Sequence, residues 1–431
     1  MSSQPAPQAH IMRCALIVAL LGSGLESALA VDQEGPPAEL RQPWIQRANT
    51  LGPSDGLLVR SDLSAADSER LIQVVRQTRS AFDSLLASPP PRVLERPILM
   101  LFSDSDELEF TVRSEFVVPG IRAQGSAMTF GNEHGQFMLV STDGPSALEL
   151  TRWLRSIAAE QYLTARFGTR LPSWLHESLV QYAGTLHAVD SRLVSGEPPS
   201  DFVAILHDLD ASGALLPLDR LVSIDREQWN SATGAKAAAL QAQAWAALDF
   251  LLAQVRRPGP QVVQALIDDA VAGSPNLLGL DPSSTEDTNL ASAWIDHVRG
   301  LEVGPVTRLR ELAEQIRVLL EVLEEQGIRT VDERGLRTRF TAELERIESR
   351  IGALPGGPER VASGAIPNDL EVSFKETRLS RSPRALRALG LPGPPMSVAL
   401  EQPGTGRVVI RWVVSTSDDG KQARWAPVVD W

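Results

Sequence analysis

The chain is poor in the residues that hold metals and redox centres: one cysteine and six histidines in 431 residues. A lone cysteine excludes an internal disulfide, a CxxC redox pair and any thiolate zinc cluster. The histidines are scattered, whereas a zinc enzyme brings two or three of them to one point. Positive charge is also short, with 41 Lys+Arg against 54 Asp+Glu for a net charge of −13. Without clustered basic residues the chain has no footprint for a phosphate backbone, so no nucleic-acid partner is expected. The same deficit disfavours anionic lipid. Long apolar runs are missing too: Cys14 to Leu21 reads CALIVALL, far short of the ~20 residues a bilayer span needs. What is present is 43% hydrophobic residues, enough for two or three domains of roughly 100–200 residues each.

Arg13 precedes that apolar run, and Ala28-Leu29-Ala30 places small residues at the −1 and −3 positions of a secretory cleavage site. We therefore read residues 1–30 as a signal peptide. The mature protein is expected to be secreted or periplasmic, without cysteine and without a membrane span. Residues 31–50 read as a polar leader.

Leu57 to Arg60 then reads as a short strand. Asp62 and Ser64 are candidate caps of a helix carrying Leu63, Leu71, Val74, Val75, Phe82 and Leu85 at helical spacing, ended by Pro89-Pro90-Pro91. Ile98 to Phe102 is a second strand, Ser103 with Asp106 or Glu107 opens a short helix, and Phe137 to Val140 is a third strand. Gly52 to Gly56 matches the letters of a nucleophile elbow, but a strand follows where a helix is required, which makes it a turn. Alternating strands and helices up to about residue 145 define a small α/β unit.

Strand signals then disappear. Leu148, Leu154, Ile157, Ala158 and Tyr162 share one helical face, Pro172-Ser173 starts a second helix, and Ala235 to Val255 is an alanine-rich helix. Residues 271–304 form a helical connection. In 305–354, Leu309, Leu312, Ile316, Leu319 and Leu323 are followed, past Gly327, by Leu336, Phe340, Leu344, Ile347 and Ile351, the pattern of an antiparallel helical hairpin. Pro355-Gly356-Gly357-Pro358 marks a boundary. Residues 359–431 read as a small β-containing tail, with strands around Val398 to Leu400, Arg407 to Val414 and Val428-Val429. The expected class is α+β.

One stretch carries chemistry by resemblance. Leu171 to Tyr182 reads LPSWLHESLVQY, preceded by Gln161-Tyr162-Leu163 and followed by Pro217-Leu218 with Leu221 and by Ala242-Gln243-Ala244-Trp245-Ala246. From Leu57 to Leu252 the chain resembles the peptidase MA-like group of zinc metallopeptidases of secreted bacterial proteins. That resemblance places residues 51–270 in one metallopeptidase-like domain, the α/β unit leading into a helical subdomain. In such a site two histidines one helical turn apart and a glutamate from a second helix bind Zn²⁺, and the glutamate after the first histidine serves as base. Laid on that pattern, the first histidine falls on Ser156, the catalytic glutamate on Ile157 and the second histidine on Glu160. Glu177 alone keeps its place, as the residual metal candidate.

A serine hydroxyl is a poor neutral donor for zinc, isoleucine takes no proton, and two carboxylates without imidazole suit a harder cation. The resemblance thus implies the fold without its catalytic residues, and no cofactor is expected. His176 and Glu177 point about 100° apart on one helix, against their sharing an ion. His134 in a turn and His187, His207 and His297 in separate segments offer no cluster. Glu177 is expected to pair with an arginine such as Arg152 or Arg155, and Trp153, Trp174, Tyr182, Trp245 and Phe250 to lie in the core. The implied role is a pseudopeptidase that binds an extended peptide or envelope protein in a groove beside Phe137, Met138, Leu139 and Val140, by strand addition. The alternative is a divergent metal-dependent hydrolase, using zinc at Glu177 and Glu160.

Overall fold

The computed structural model describes residues 48–54, 57–86, 97–115, 127–132, 135–143, 147–189, 192–194, 197–255, 260–273, 288–329, 331–353, 366–367, 369–376, 391, 395–403, 405–416 and 423–430. The signal peptide and nearly all of the leader read in the sequence lie outside them. In chain order the elements begin with β1 (Asn49–Ser54), β2 (Leu57–Ser61), α1 (Ala65–Leu85), β3 (Ile98–Phe102), α2 (Ser105–Glu115), β4 (Ala127–Asn132) and β5 (Gly135–Ser141). Helices α3 (Ala147–Phe167) and α4 (Ser173–Thr185), strands β6 (His187–Val189) and β7 (Arg192–Val194), and α5 (Ser200–Ala211) follow. Then come α6 (Leu218–Ser223), α7 (Arg226–Asn230), α8 (Gly234–Ala253), α9 (Pro260–Val271), α10 (Thr288–Gly300), α11 (Pro305–Glu325), α12 (Glu333–Ala342) and α13 (Leu344–Ala353). The chain closes with β8 (Glu371–Lys375), β9 (Ser397–Gln402), β10 (Gly406–Thr416) and β11 (Ala423–Asp430). The protein is of the α+β class.

Two compact units divide it. One draws on residues up to Gly144, on Thr151–Ser195 and on Ser212–Val298; the other on Pro145–Leu150, Gly196–Ala211 and Arg299 onward.

The first unit is built on a five-stranded sheet of order β1-β2-β3-β5-β4, in which β2, β3 and β5 run parallel and β1 and β4 antiparallel to their neighbours. Ile98–Phe102 is an unbroken apolar run because β3 is central and covered on both faces. Side chains alternate: Met100 and Phe102 of β3 and Phe137 and Leu139 of β5 pack with Leu108 and Val112 of α2 and Met128 of β4. Helix α1 starts on Ser64, whose side chain accepts the Asp67 N–H at 3.1 Å. Its Phe82 ring lies 5.5 Å from that of Tyr162 of α3, whose hydroxyl donates to Asp83 at 2.7 Å.

Two expectations change here. Strand β4 has no signal in the sequence reading, and it occupies one end of the sheet. Phe137, Met138, Leu139 and Val140, read as the strand beside which a peptide would add, lie instead between β3 and β4, with both backbone edges paired and all four side chains buried. The outer edge on that side is β4.

Helices α4 and α8 pack against each other, and Ala242, Ala244, Ala246 and Ala247 of α8 are fully buried. Ser178 Oγ sits 2.6 Å from both the Trp174 and the Ala244 carbonyls, joining the two helices through its hydroxyl. Trp174, Trp245 and Phe250 are fully buried and Trp153 is buried too, but Tyr182 stays only half-buried.

In the second unit, the stretches read separately as hairpin and tail build one hydrophobic cluster. Leu309, Ile316, Leu319 and Leu323 of α11, Leu336 and Phe340 of α12 and Ile347 of α13 meet Val398, Ile410, Trp412, Trp425 and Val429 of an antiparallel sheet ordered β11-β10-β9-β8. The turn after α11 is made by Gly327 at φ +74°: its N–H reaches Glu324 O at 2.9 Å, and Ile328 N–H reaches Leu323 O at 2.8 Å. Both bonds together close a Schellman motif. The second arm of the hairpin is broken at Glu343 into α12 and α13. Arg337 of α12 donates to the carbonyls of Ile366 (3.0 Å), Pro367 (2.9 Å) and Leu370 (2.8 Å). Among the described residues no helix is long and apolar enough to cross a membrane.

Candidate functional site

Helix α3 carries Ser156, Ile157 and Glu160, and α4 carries His176 and Glu177. Pro172 precedes α4, its locked φ suited to a helix start, and its carbonyl accepts the His176 N–H at 3.0 Å. The helices come together so tightly that a β-carbon at Gly184 of α4 would stand 2.6 Å from Ser156 Oγ and 3.2 Å from Arg152 Cγ. The Ser156 hydroxyl is therefore packed against the other helix. Ile157 has no exposed surface.

Glu160 is buried and engaged from both sides. Thr164 Oγ1 lies 3.4 Å from its Oε1, and its Oε2 lies 3.4 Å from Nδ1 of His176, each side chain of that pair being 10% exposed. The sequence treats His176 as a lone histidine; its partner comes from a different helix, which no local pattern reveals.

Glu177 keeps part of its surface open, yet its carboxyl is closely surrounded by protein. Burial is the main influence and pushes this carboxyl above the usual carboxylate range. A hydrogen bond from Gln181 Nε2 at 2.7 Å opposes that, the neighbouring Glu160 carboxylate reinforces it, and His176 and Gln241 oppose it more weakly. The arginine partner expected for Glu177 is thus replaced by two amides, Gln181 on α4 and Gln241 on α8. Arg155 turns away, its Nη1 donating to the Leu186 carbonyl at the end of α4.

The surrounding motif residues hold the scaffold. Gln243 accepts the Leu216 N–H at 2.7 Å and donates to Ala239 O at 3.0 Å, fixing the segment that enters α6, where Leu218 and Leu221 are buried. Gln161 Nε2 donates to Gln136 Oε1 of β5 at 2.8 Å, tying α3 to the sheet one residue from Glu160. His297 pairs with Asp249 at 3.2 Å, and His207 acts on the charge of Asp210 in the other unit. His134 and the His187 side chain lie outside the described residues.

Zinc does not fit this donor set. Ser156 is a neutral hydroxyl pressed on Gly184, Ile157 has no proton acceptor, and Glu160 is held by His176. Among the described residues no group of three or more His, Cys, Asp or Glu side chains is arranged to hold a metal ion. No protein-family model matches the chain. No curated protein matches it either.

Proposed function

We propose that this protein is a secreted or periplasmic pseudopeptidase, a metallopeptidase-like scaffold that binds an extended peptide or envelope protein without cleaving it. The supporting observation is the state of the three degenerate positions: Ser156 is packed against Gly184, Ile157 is sealed in the core, and Glu160 is engaged with His176. None of the three is the imidazole that the resembled zinc site requires, and Ser156 and Ile157 offer no base. Peptide binding has a physical place at β4, whose inner side pairs with β5 and which ends the sheet order. Thr129 and Gly131 of β4 pair with Met138 and Gln136, so they share the sheet face on which Gln136 meets Gln161 of α3. A strand added to β4 gains backbone hydrogen bonds that need no metal.

The test is metal content of the purified mature protein, together with peptide cleavage with and without chelator and binding of extended peptides. Expected are no stoichiometric metal, no cleavage, and peptide binding that N-methylation of alternate peptide amides abolishes. Stoichiometric zinc with chelator-sensitive cleavage overturns this reading in favour of a hydrolase using Glu177 and Glu160.

A further inference from the structure

The mismatch between the resembled zinc site and the residues present has a structural consequence. In a metallopeptidase of this kind a metal would tie the two helices together through side chains of both. In this chain the corresponding positions on α3 and α4 lie at a close helix crossing, with Ser156 on Gly184 at one place and Glu160 on His176 at another. A polar group left between two packed helices costs free energy unless it has a partner. The two carboxyl groups here have partners: Glu160 has His176 and Thr164, and Glu177 has Gln181 and Gln241.

We infer that the Glu160–His176 pair is the cross-link that joins α3 to α4 in place of a metal, so that the helix pair assembles from protein groups alone. This rests on the pseudopeptidase reading. Glu160 stands where the second histidine of the resembled motif would be, and His176 directly precedes Glu177, the one ligand position retained. Their contact, at 3.4 Å with each side chain 10% exposed, crosses between the helices. A carboxylate and an imidazole in mutual contact offset part of the cost of burying both.

The experiment is a double-mutant cycle in urea on the mature protein, run with and without EDTA and with added Zn²⁺. Glu160→Gln and His176→Gln are each expected to lower the folding equilibrium constant by ~10-fold or more, and the double variant to lose much less than the product of the two. The wild-type midpoint is expected to be the same in EDTA, in Zn²⁺ and in plain buffer. If either single variant fails to fold, recovery of cooperative unfolding in the double variant, or in the exchanged pair Glu160→His with His176→Glu, reports the same coupling.

Independent, multiplicative losses, or no recovery in either combined variant, overturn the cross-link and leave the pseudopeptidase reading standing. A midpoint that EDTA lowers, with stoichiometric zinc in the untreated protein, overturns the pseudopeptidase reading itself. The two failures are therefore told apart by the cycle and by the chelator.

Discussion

Gly184 and Ser156 meet where α4 crosses α3, with the space for a β-carbon at Gly184 ending 2.6 Å from Ser156 Oγ. Only a residue without a side chain lets the helices approach this closely, and the approach brings Glu160 to His176 one turn along α3.

Gly184→Ala is expected to destabilise the protein by about 1–3 kcal/mol, the usual cost of forcing an extra methyl into a packed contact. The nearest obstacle is a hydroxyl on a short side chain, so Ser156→Ala in the same chain should recover part of the loss. Urea unfolding of the single and double variants measures both. Equal stability of Gly184→Ala and wild type would mean that the helices are free to separate.

Glu177 gives a pH dependence with a definite sign. Its folded-state carboxyl lies above the ordinary range because burial penalises the charged form. The proton is therefore bound more tightly in the folded than in the unfolded chain. The associated stability is full below the unfolded-state value of about 4.3 and is lost as pH rises through the elevated folded-state value. Glu177→Gln keeps an acceptor for Gln181 and removes the titration. Chemical denaturation across that range should show the variant losing less stability with rising pH than the wild type, and a steeper loss in the variant would contradict the assignment.

Arg337 offers its fork to three carbonyls of the segment entering β8. Lysine carries the charge but not the planar fork. Arg337→Lys should destabilise the second unit by about 1–3 kcal/mol through carbonyls left without donors. Hydrogen exchange in β8 should rise in the variant, and unchanged protection there would argue that the clamp contributes nothing.

Gly327 holds a left-handed conformation at the end of α11. Gly327→Ala is expected to cost about 1 kcal/mol, read as a shift in the urea midpoint, because a β-carbon is strained at that φ. Gly327→Asn should cost less, since asparagine tolerates this region better.

Much of the architecture is written in residue spacing. The helical faces of 65–85 and 147–167, the central apolar run Ile98–Phe102 and the paired halves around Gly327 all appear as elements in the structure. Such periodicity is legible because one face of each element must be apolar wherever the chain packs. Strand β4 escaped notice: AMTFGN is short and has turn-forming residues at its end, and it becomes a strand by pairing with β5. Tyr182 looked like core from its spacing, yet its helix leaves it half-buried.

By itself the sequence determined the α+β class and the run of helices after the first sheet. Those are statements about composition and local period, available before any chain segment meets another. Only the tertiary structure decided that Glu160 faces His176, that Gln241 of α8 lies beside Glu177, and that β4 ends the sheet next to Phe137–Val140. Each depends on the angle and distance at which two elements cross, and those are set by the packing of small residues such as Gly184 and the alanines of α8 across contacts that no local pattern encodes.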